Sequence, residues 1–184
     1  PTYSTINNLD LEHLDCYKNL DTLLETFSEF ANYTPFYGKV FINNDSENIK
    51  KLFDRINKPK ATFSIKNKSD LQAFDISYSN NKSIFKIKSM KCNNTTIELN
   101  CPGEYNVYNS LAAISIALEV DVPIKDIKNG LKKYQGVKRR FDISYNNLKN
   151  NIMIVDDYAH HPVEVKETLK AAKIGWNKRI IGIF

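Results

Sequence analysis

The apolar residues Leu23, Leu24, Phe27, Phe30 and Ala31 recur at spacings of three and four within residues 21–32, which predicts an amphipathic helix. Before it, residues 3–9 (YSTINNL) read as a short strand running into a polar turn; after it, residues 39–43 (KVFIN) read as a second strand. Residues 47–56 then predict another helix through Ile49, Leu52, Phe53 and Ile56, giving β-α-β-α order. From Ala61 to Leu99 the period changes to two. The runs ATFSI, AFDISY, SIFKIK and TTIELN, separated by Asn, Lys and Ser clusters, predict small antiparallel strands with no crossover helix between them. Helical spacing returns with Val107, Leu111, Ile114 and Leu118, and again with Ile124, Ile127, Leu131 and Tyr134.

The segment from Phe141 to Asn151 is polar and Asn-rich, and it reads as a boundary between residues 1–141 and 142–184. Beyond it the pattern predicts a βαβ unit. NIMIVDD is its first strand, a helix opened by Pro162 buries Val165, Leu169, Ala172 and Trp176, and KRIIGIF is its second strand. The fold class is α/β, with a mostly parallel sheet flanked by helices and a small antiparallel subsheet. A strand such as IIGIF needs neighbours and a covering helix, so the second domain is expected to be incomplete.

A chain of 184 residues that is 42% hydrophobic and 26% charged belongs to the globular class rather than to disordered chains or coiled-coil rods. No apolar run approaches the ~20 residues of a membrane span, and the first residues carry no signal-peptide pattern, so the expected location is cytoplasmic with no membrane partner. Three cysteines without metal-ligand spacing agree with a reducing compartment. The net charge of +5 raises nucleic acid as a partner, but the lysines are scattered and lack interleaved aromatics, so no nucleic-acid partner is expected.

Four segments carry chemistry. DDYAHHP, residues 156–162, occupies the turn between a strand and a helix, where open α/β sheets bind ligands. Asp156 and Asp157 can accept hydrogen bonds from sugar hydroxyls, Tyr158 offers a phenol, and His160 can carry a proton; helix capping is the alternative reading. His13 stands between Glu12 and Asp15, a setting for a divalent cation or for an ordinary surface histidine. Asn106 and Asn109, three apart in PGEYNVYNSLAA, place two carboxamides on one helical turn, fit either to read a purine edge or, for Asn106, to cap the helix. In GVKRRFD, Arg139 and Arg140 offer planar forks for phosphate or form a surface basic pair.

Taken in order, NLDLEHLDCYKNL, PFYGKVFINND, PGEYNVYNSLAA, GVKRRFD and IVDDYAHHPVEVKETLKAAK resemble the Mur ligases of peptidoglycan synthesis over nearly the whole chain. The resemblance is strongest to the branch that adds L-alanine to UDP-N-acetylmuramate; the branch that attaches murein tripeptide shares the acidic-aromatic-Ala-His-His-Pro turn. It implies the latter part of the central ATP-binding domain over 1–141 and the opening βαβ unit of a Rossmann-like C-terminal domain over 142–184. It also implies ATP and magnesium as cofactors, UDP-N-acetylmuramate and L-alanine as substrates, and reaction through an acyl phosphate that the alanine amine attacks.

Residue by residue, the resemblance gives His13 the magnesium site, Asn106 and Asn109 the adenine, Arg140 the ATP phosphates and Asp157 the ribose. By the same resemblance, Tyr158 and His160 match residues that line the place where amino acid and acyl phosphate meet. Tyr105 stands where the family usually has His and is available to stack on adenine; Glu12 and Asp10 exchange the usual carboxylates. Asp157→Ala is expected to weaken ATP binding with little effect on the fold. No Walker A sequence, uridine-nucleotide domain or following arginine segment occurs in the chain, so the missing parts of the same enzyme are expected partners and the fragment is expected to be inactive alone. A non-catalytic nucleotide-binding module is the alternative of a different class.

Overall fold

The structure, a computed structural model, describes residues 1–10 and 19–183; His13, with Glu12, Asp15 and Cys16, lies outside the described residues. The first strand, β1 (Tyr3–Ile6), is followed by α1 (Leu20–Asn32) and β2 (Lys39–Asn43), as the apolar spacing requires. Asn19 caps α1 by accepting from the Thr22 amide at 2.9 Å. Over 47–56 the single expected helix is instead a short α2 (Glu47–Lys50) and a 3-10 turn at Phe53–Arg55. The amides of Leu52 and Arg55 bond three residues back, a tighter winding that keeps Ile49, Leu52 and Ile56 in the core while Phe53 faces solvent.

The strands β3 (Lys60–Ser64), β4 (Leu71–Ser79), β5 (Lys82–Ser89) and β6 (Thr95–Leu99) extend a six-stranded sheet in simple sequence order, β1 to β6. Here one expectation is corrected. Lys60–Ser64 is not antiparallel: β3 runs parallel to β2, with Phe41 opposite Ala61, and parallel to β4, with Phe63 opposite Leu71. Alternation at period two identifies a strand but carries no information on its direction. Only Asn80 and Asn81 join β4 to β5, a hairpin length, and Asn80 takes the left-handed conformation at φ 51° that such a turn needs.

Two helices follow, α3 (Glu104–Glu119) and α4 (Ile124–Lys133). Residues expected to form a polar break are in fact a strand, β7 (Asp142–Asn147), antiparallel to β8 (Ile152–Asp156) in a separate two-stranded sheet. An Asn-rich sequence therefore pairs, because a hairpin partner five residues on satisfies its backbone whatever its side chains. The last helix is α5 (Pro162–Gly175). The first strand and the helix of the expected βαβ unit are formed, but residues 178–183 form no strand: no described strand runs beside this segment to complete its hydrogen bonds, and Ile181 and Ile183 are exposed.

The chain divides into two compact units, the first Pro1–Phe74, Ile87–Thr95 and Tyr108–Ile124, the second Asp75–Lys86, Thr96–Val107 and Lys125–Phe184. In the first, Ile6, Leu9, Leu23, Leu24, Ala31, Val40, Ile42 and Ile49 form the core between α1 and the parallel strands. In the second, Phe85, Leu99 and Phe141 are buried, and Phe141 stacks on Trp176 with ring centroids 5.4 Å apart.

Candidate functional site

In the first unit the polar residues gather just past the carboxyl ends of the parallel strands, the place where open α/β sheets hold ligands. Asn7 follows β1 and Asn43 ends β2, and the Asn43 Nδ2 donates to the Asn7 carbonyl at 2.8 Å. Asn7 in turn donates from Nδ2 to the Asn109 Oδ1 of α3 at 3.0 Å. Next to them Asp45 accepts hydrogen bonds from the amides of Ile65, Lys66 and Asn67, from the Asn67 side chain and, at 2.8 Å, from the Tyr108 hydroxyl. Burial would raise the Asp45 pKa, but these donors outweigh it and hold the carboxyl below its ordinary value. One aspartate thus shapes the β3–β4 loop and holds Tyr108 of α3.

Asn106 lies inside α3 rather than before it, so helix capping in the usual sense does not describe it. Its Nδ2 bonds back to the Pro102 carbonyl at 2.7 Å, which commits the donor end and leaves Oδ1 as the acceptor. Tyr105, one residue earlier, is half-buried against Gly103, where a Cβ would stand 2.7 Å from the tyrosine ring and where φ is +93°, so that position demands glycine. Burial, with lesser effects of Asp157 and Cys101, pushes the Tyr105 phenol up to about 12, so it keeps its proton.

The second unit brings Arg139, Arg140, Asp157, Tyr158 and His160 together. Asp157 accepts from the amides of Phe141 (2.9 Å) and Ala159 (2.8 Å) and from the Thr168 hydroxyl (3.1 Å). These bonds tie the RRF segment, the turn and α5 to one carboxylate. Arg139 and Phe141 have φ of 60° and 48°, a left-handed pair flanking Arg140. The Tyr158 amide donates to the Arg139 carbonyl, and the Arg139 guanidinium sits 4.7 Å from the centre of the Tyr158 ring.

Arg140 pairs with Glu164 of α5 at 3.0 Å. Burial opposes ionisation of Glu164, yet Arg140 and the amides of His160 and His161 hold its pKa below the ordinary value. The His160 Nδ1 lies 3.0 Å from the Tyr158 carbonyl oxygen. A carbonyl oxygen only accepts, so in the neutral ring Nδ1 carries the proton and Nε2 is left as a base.

On α5 the expected Val165, Ala172 and Trp176 are partly buried, whereas Leu169 is 39% exposed. Glu164, Thr168, Ala171 and Gly175 also turn inward; Asp157 holds Thr168, and the Gly175 carbonyl accepts from the Asn80 amide at 3.0 Å. A concavity of about 560 Å³ lined by Leu169, Lys170, Lys173, Ile174, Ile180 and Gly182 contains none of the candidate residues. Among the described residues no cluster of three or more His, Cys, Asp or Glu is placed to hold a metal, and no helix is long and apolar enough to cross a membrane. Sequence reasoning missed Asn7, Asn43, Asp45 and Tyr108; the run of polar residues directly after the strand KVFIN was the available signal.

Residues 1–117 match the Mur ligase middle domain. Over the whole chain the sequence is 43% identical to UDP-N-acetylmuramate–L-alanine ligase of Pelodictyon phaeoclathratiforme, and the chain spans 38% of that relative's length. Among solved structures, UDP-N-acetylmuramate-alanine ligase of Thermotoga maritima superposes with a TM-score of 0.78 at 28% identity, over 95% of this chain and 38% of that one. The murein peptide ligase of Psychrobacter arcticus superposes with a TM-score of 0.67 at 28% identity, over 94% of this chain and 35% of that one. With its middle-domain match covering more than half of its residues, the chain belongs to the Mur ligase family.

Proposed function

We propose that this chain is part of an ATP-dependent amide ligase that joins L-alanine to the carboxylate of UDP-N-acetylmuramate. The 43% identity that runs over the full chain to a relative of that name carries the reading. In this reaction the muramyl carboxylate takes the γ-phosphoryl of ATP to form an acyl phosphate with loss of ADP. The alanine amine then attacks the acyl carbon, and the tetrahedral intermediate expels phosphate.

The chain's own groups suit the steps. Asn106 presents an acceptor and Asn109 a donor to the adenine. Asp157 has one acceptor position left on Oδ1 for a ribose hydroxyl after its three internal bonds. Arg140 supplies a planar fork to phosphate oxygens in exchange for its exposed pairing with Glu164. The free Nε2 of His160 is suited to take the proton that the attacking amine loses, with Tyr158 beside it. Tyr105 offers a protonated phenol and a ring face near the base. His13, by the family resemblance, would hold magnesium, which would supply positive charge to the phosphates when bound. The division into a central domain over 1–141 and a C-terminal domain from 142, and a cytoplasmic site of action, belong to the same proposal.

The test is phosphate release by the full-length protein with ATP, UDP-N-acetylmuramate and either L-alanine or the murein tripeptide. Release with L-alanine alone supports the proposal. Release with the tripeptide alone assigns the chain to the murein peptide ligases instead, and release with neither removes it from both.

A further inference from the structure

We propose that Asn7 is a positioning residue that decides which end of the Asn109 carboxamide faces the nucleotide base. This rests on the reading that Asn109 contacts that base. A carboxamide on an exposed helix turn can rotate, exchanging its donor and acceptor ends. Asn109 is such a residue, exposed on α3. Asn7 is held far more firmly. Its backbone follows Ile6, which pairs with Ile42 of β2, and its carbonyl accepts from Asn43, a residue only 6% exposed.

The Asn7 side chain is bonded at both ends. Its Oδ1 accepts from the Thr5 hydroxyl at 2.8 Å and its Nδ2 donates to the Asn109 Oδ1 at 3.0 Å. With Oδ1 engaged, Asn109 turns its Nδ2 outward as a donor. Adenine offers acceptors at its ring nitrogens and a donor at its N6 amine, so this orientation matches a ring nitrogen and the reversed one loses that bond. Asn7 needs no contact with the nucleotide to set this preference.

Asn7→Asp in the full-length protein separates this role from a structural one. An aspartate keeps the size of the side chain and still accepts from Thr5, and its bond to Asn109 survives if Asn109 reverses and turns Oδ1 outward. The expected result is a KM for ATP raised about tenfold, the scale of one hydrogen bond, with kcat within about twofold and an unchanged melting temperature. Inorganic tripolyphosphate, which carries charge but no base, reports the effect of the added charge alone, and its inhibition constant should stay within about twofold.

Should Asn7→Asp fail to fold, Asn7→Ala, which frees Asn109 to rotate, is expected to raise the same KM about threefold. An unchanged KM for ATP, or a KM and a tripolyphosphate constant that rise together, overturns the positioning role. Asn109→Ala distinguishes the layers. If it raises KM while Asn7→Asp does not, the positioning role alone fails; if it leaves KM unchanged, the base contact fails and the positioning role with it.

Discussion

The amide of Phe141 donates to the Asp157 carboxylate at 2.9 Å, across the turn that separates the arginine pair from α5. Phe141 sits at φ 48°, so this bond holds a backbone conformation that a phenylalanine rarely adopts. Asp157 is therefore a brace as well as a candidate ribose contact. Sequence reasoning expected Asp157→Ala to spare the fold. The three bonds it makes predict instead a loss of about 1–3 kcal/mol, read as a lower urea midpoint with an unchanged m-value. An unchanged midpoint would show that the brace contributes nothing.

Arg140 and Glu164 form a partly exposed pair, with side chains 47% and 26% accessible, so their mutual attraction adds at most about 1 kcal/mol. Arg140→Lys keeps the charge and loses the planar fork. In the full-length protein it should raise the KM for ATP about tenfold while shifting stability by less than about 1 kcal/mol. A normal KM would remove Arg140 from the phosphate site.

Asp45 and Glu164 both have folded pKa values below their ordinary values of 3.8 and 4.5. Groups depressed on folding bind more protons when unfolded, so their stabilisation is complete above the ordinary values and is lost as pH falls through the lower, folded ones. Melting temperature should hold steady at and above about pH 5 and fall below about pH 4. Asp45→Asn should flatten part of that fall and, by losing acceptors for the 65–67 amides, cost about 1–3 kcal/mol at neutral pH. Equal acid slopes in the two proteins would contradict this.

Burial pushes the Cys101 thiol up to about 11, so about one part in a thousand is thiolate at pH 8. Iodoacetamide should leave Cys101 unmodified in the native protein and alkylate it readily in urea, as read by peptide mass. Rapid native alkylation would show that the thiol is reached by solvent.

Element positions were legible because burial imposes a period: α1, β2, α3 and α5 fall close to where their apolar residues predicted. Pairing was less legible. The direction of β3 and the strand at Asp142–Asn147 depend on which neighbour offers backbone partners, and period and polarity are silent on that. Among the candidate residues, Arg140, Asp157, Tyr158 and His160 were recognisable from their motifs, and the structure adds that Asp157 and Arg140 already have internal partners. Asn7 gave no sequence signal, because a lone Asn after a strand reads as a turn residue, and Asp45 gave only its place in a polar run; their bonds to Asn109 and Tyr108 distinguish them.

Amide formation itself tests the central claim most directly. The full-length protein, supplied with ATP, magnesium, UDP-N-acetylmuramate and L-alanine, should yield a product with the summed mass of the last two less one water, with ADP and phosphate formed in equal amounts to it. ATP hydrolysis without that product, or the product's appearance only when murein tripeptide replaces L-alanine, would contradict the account.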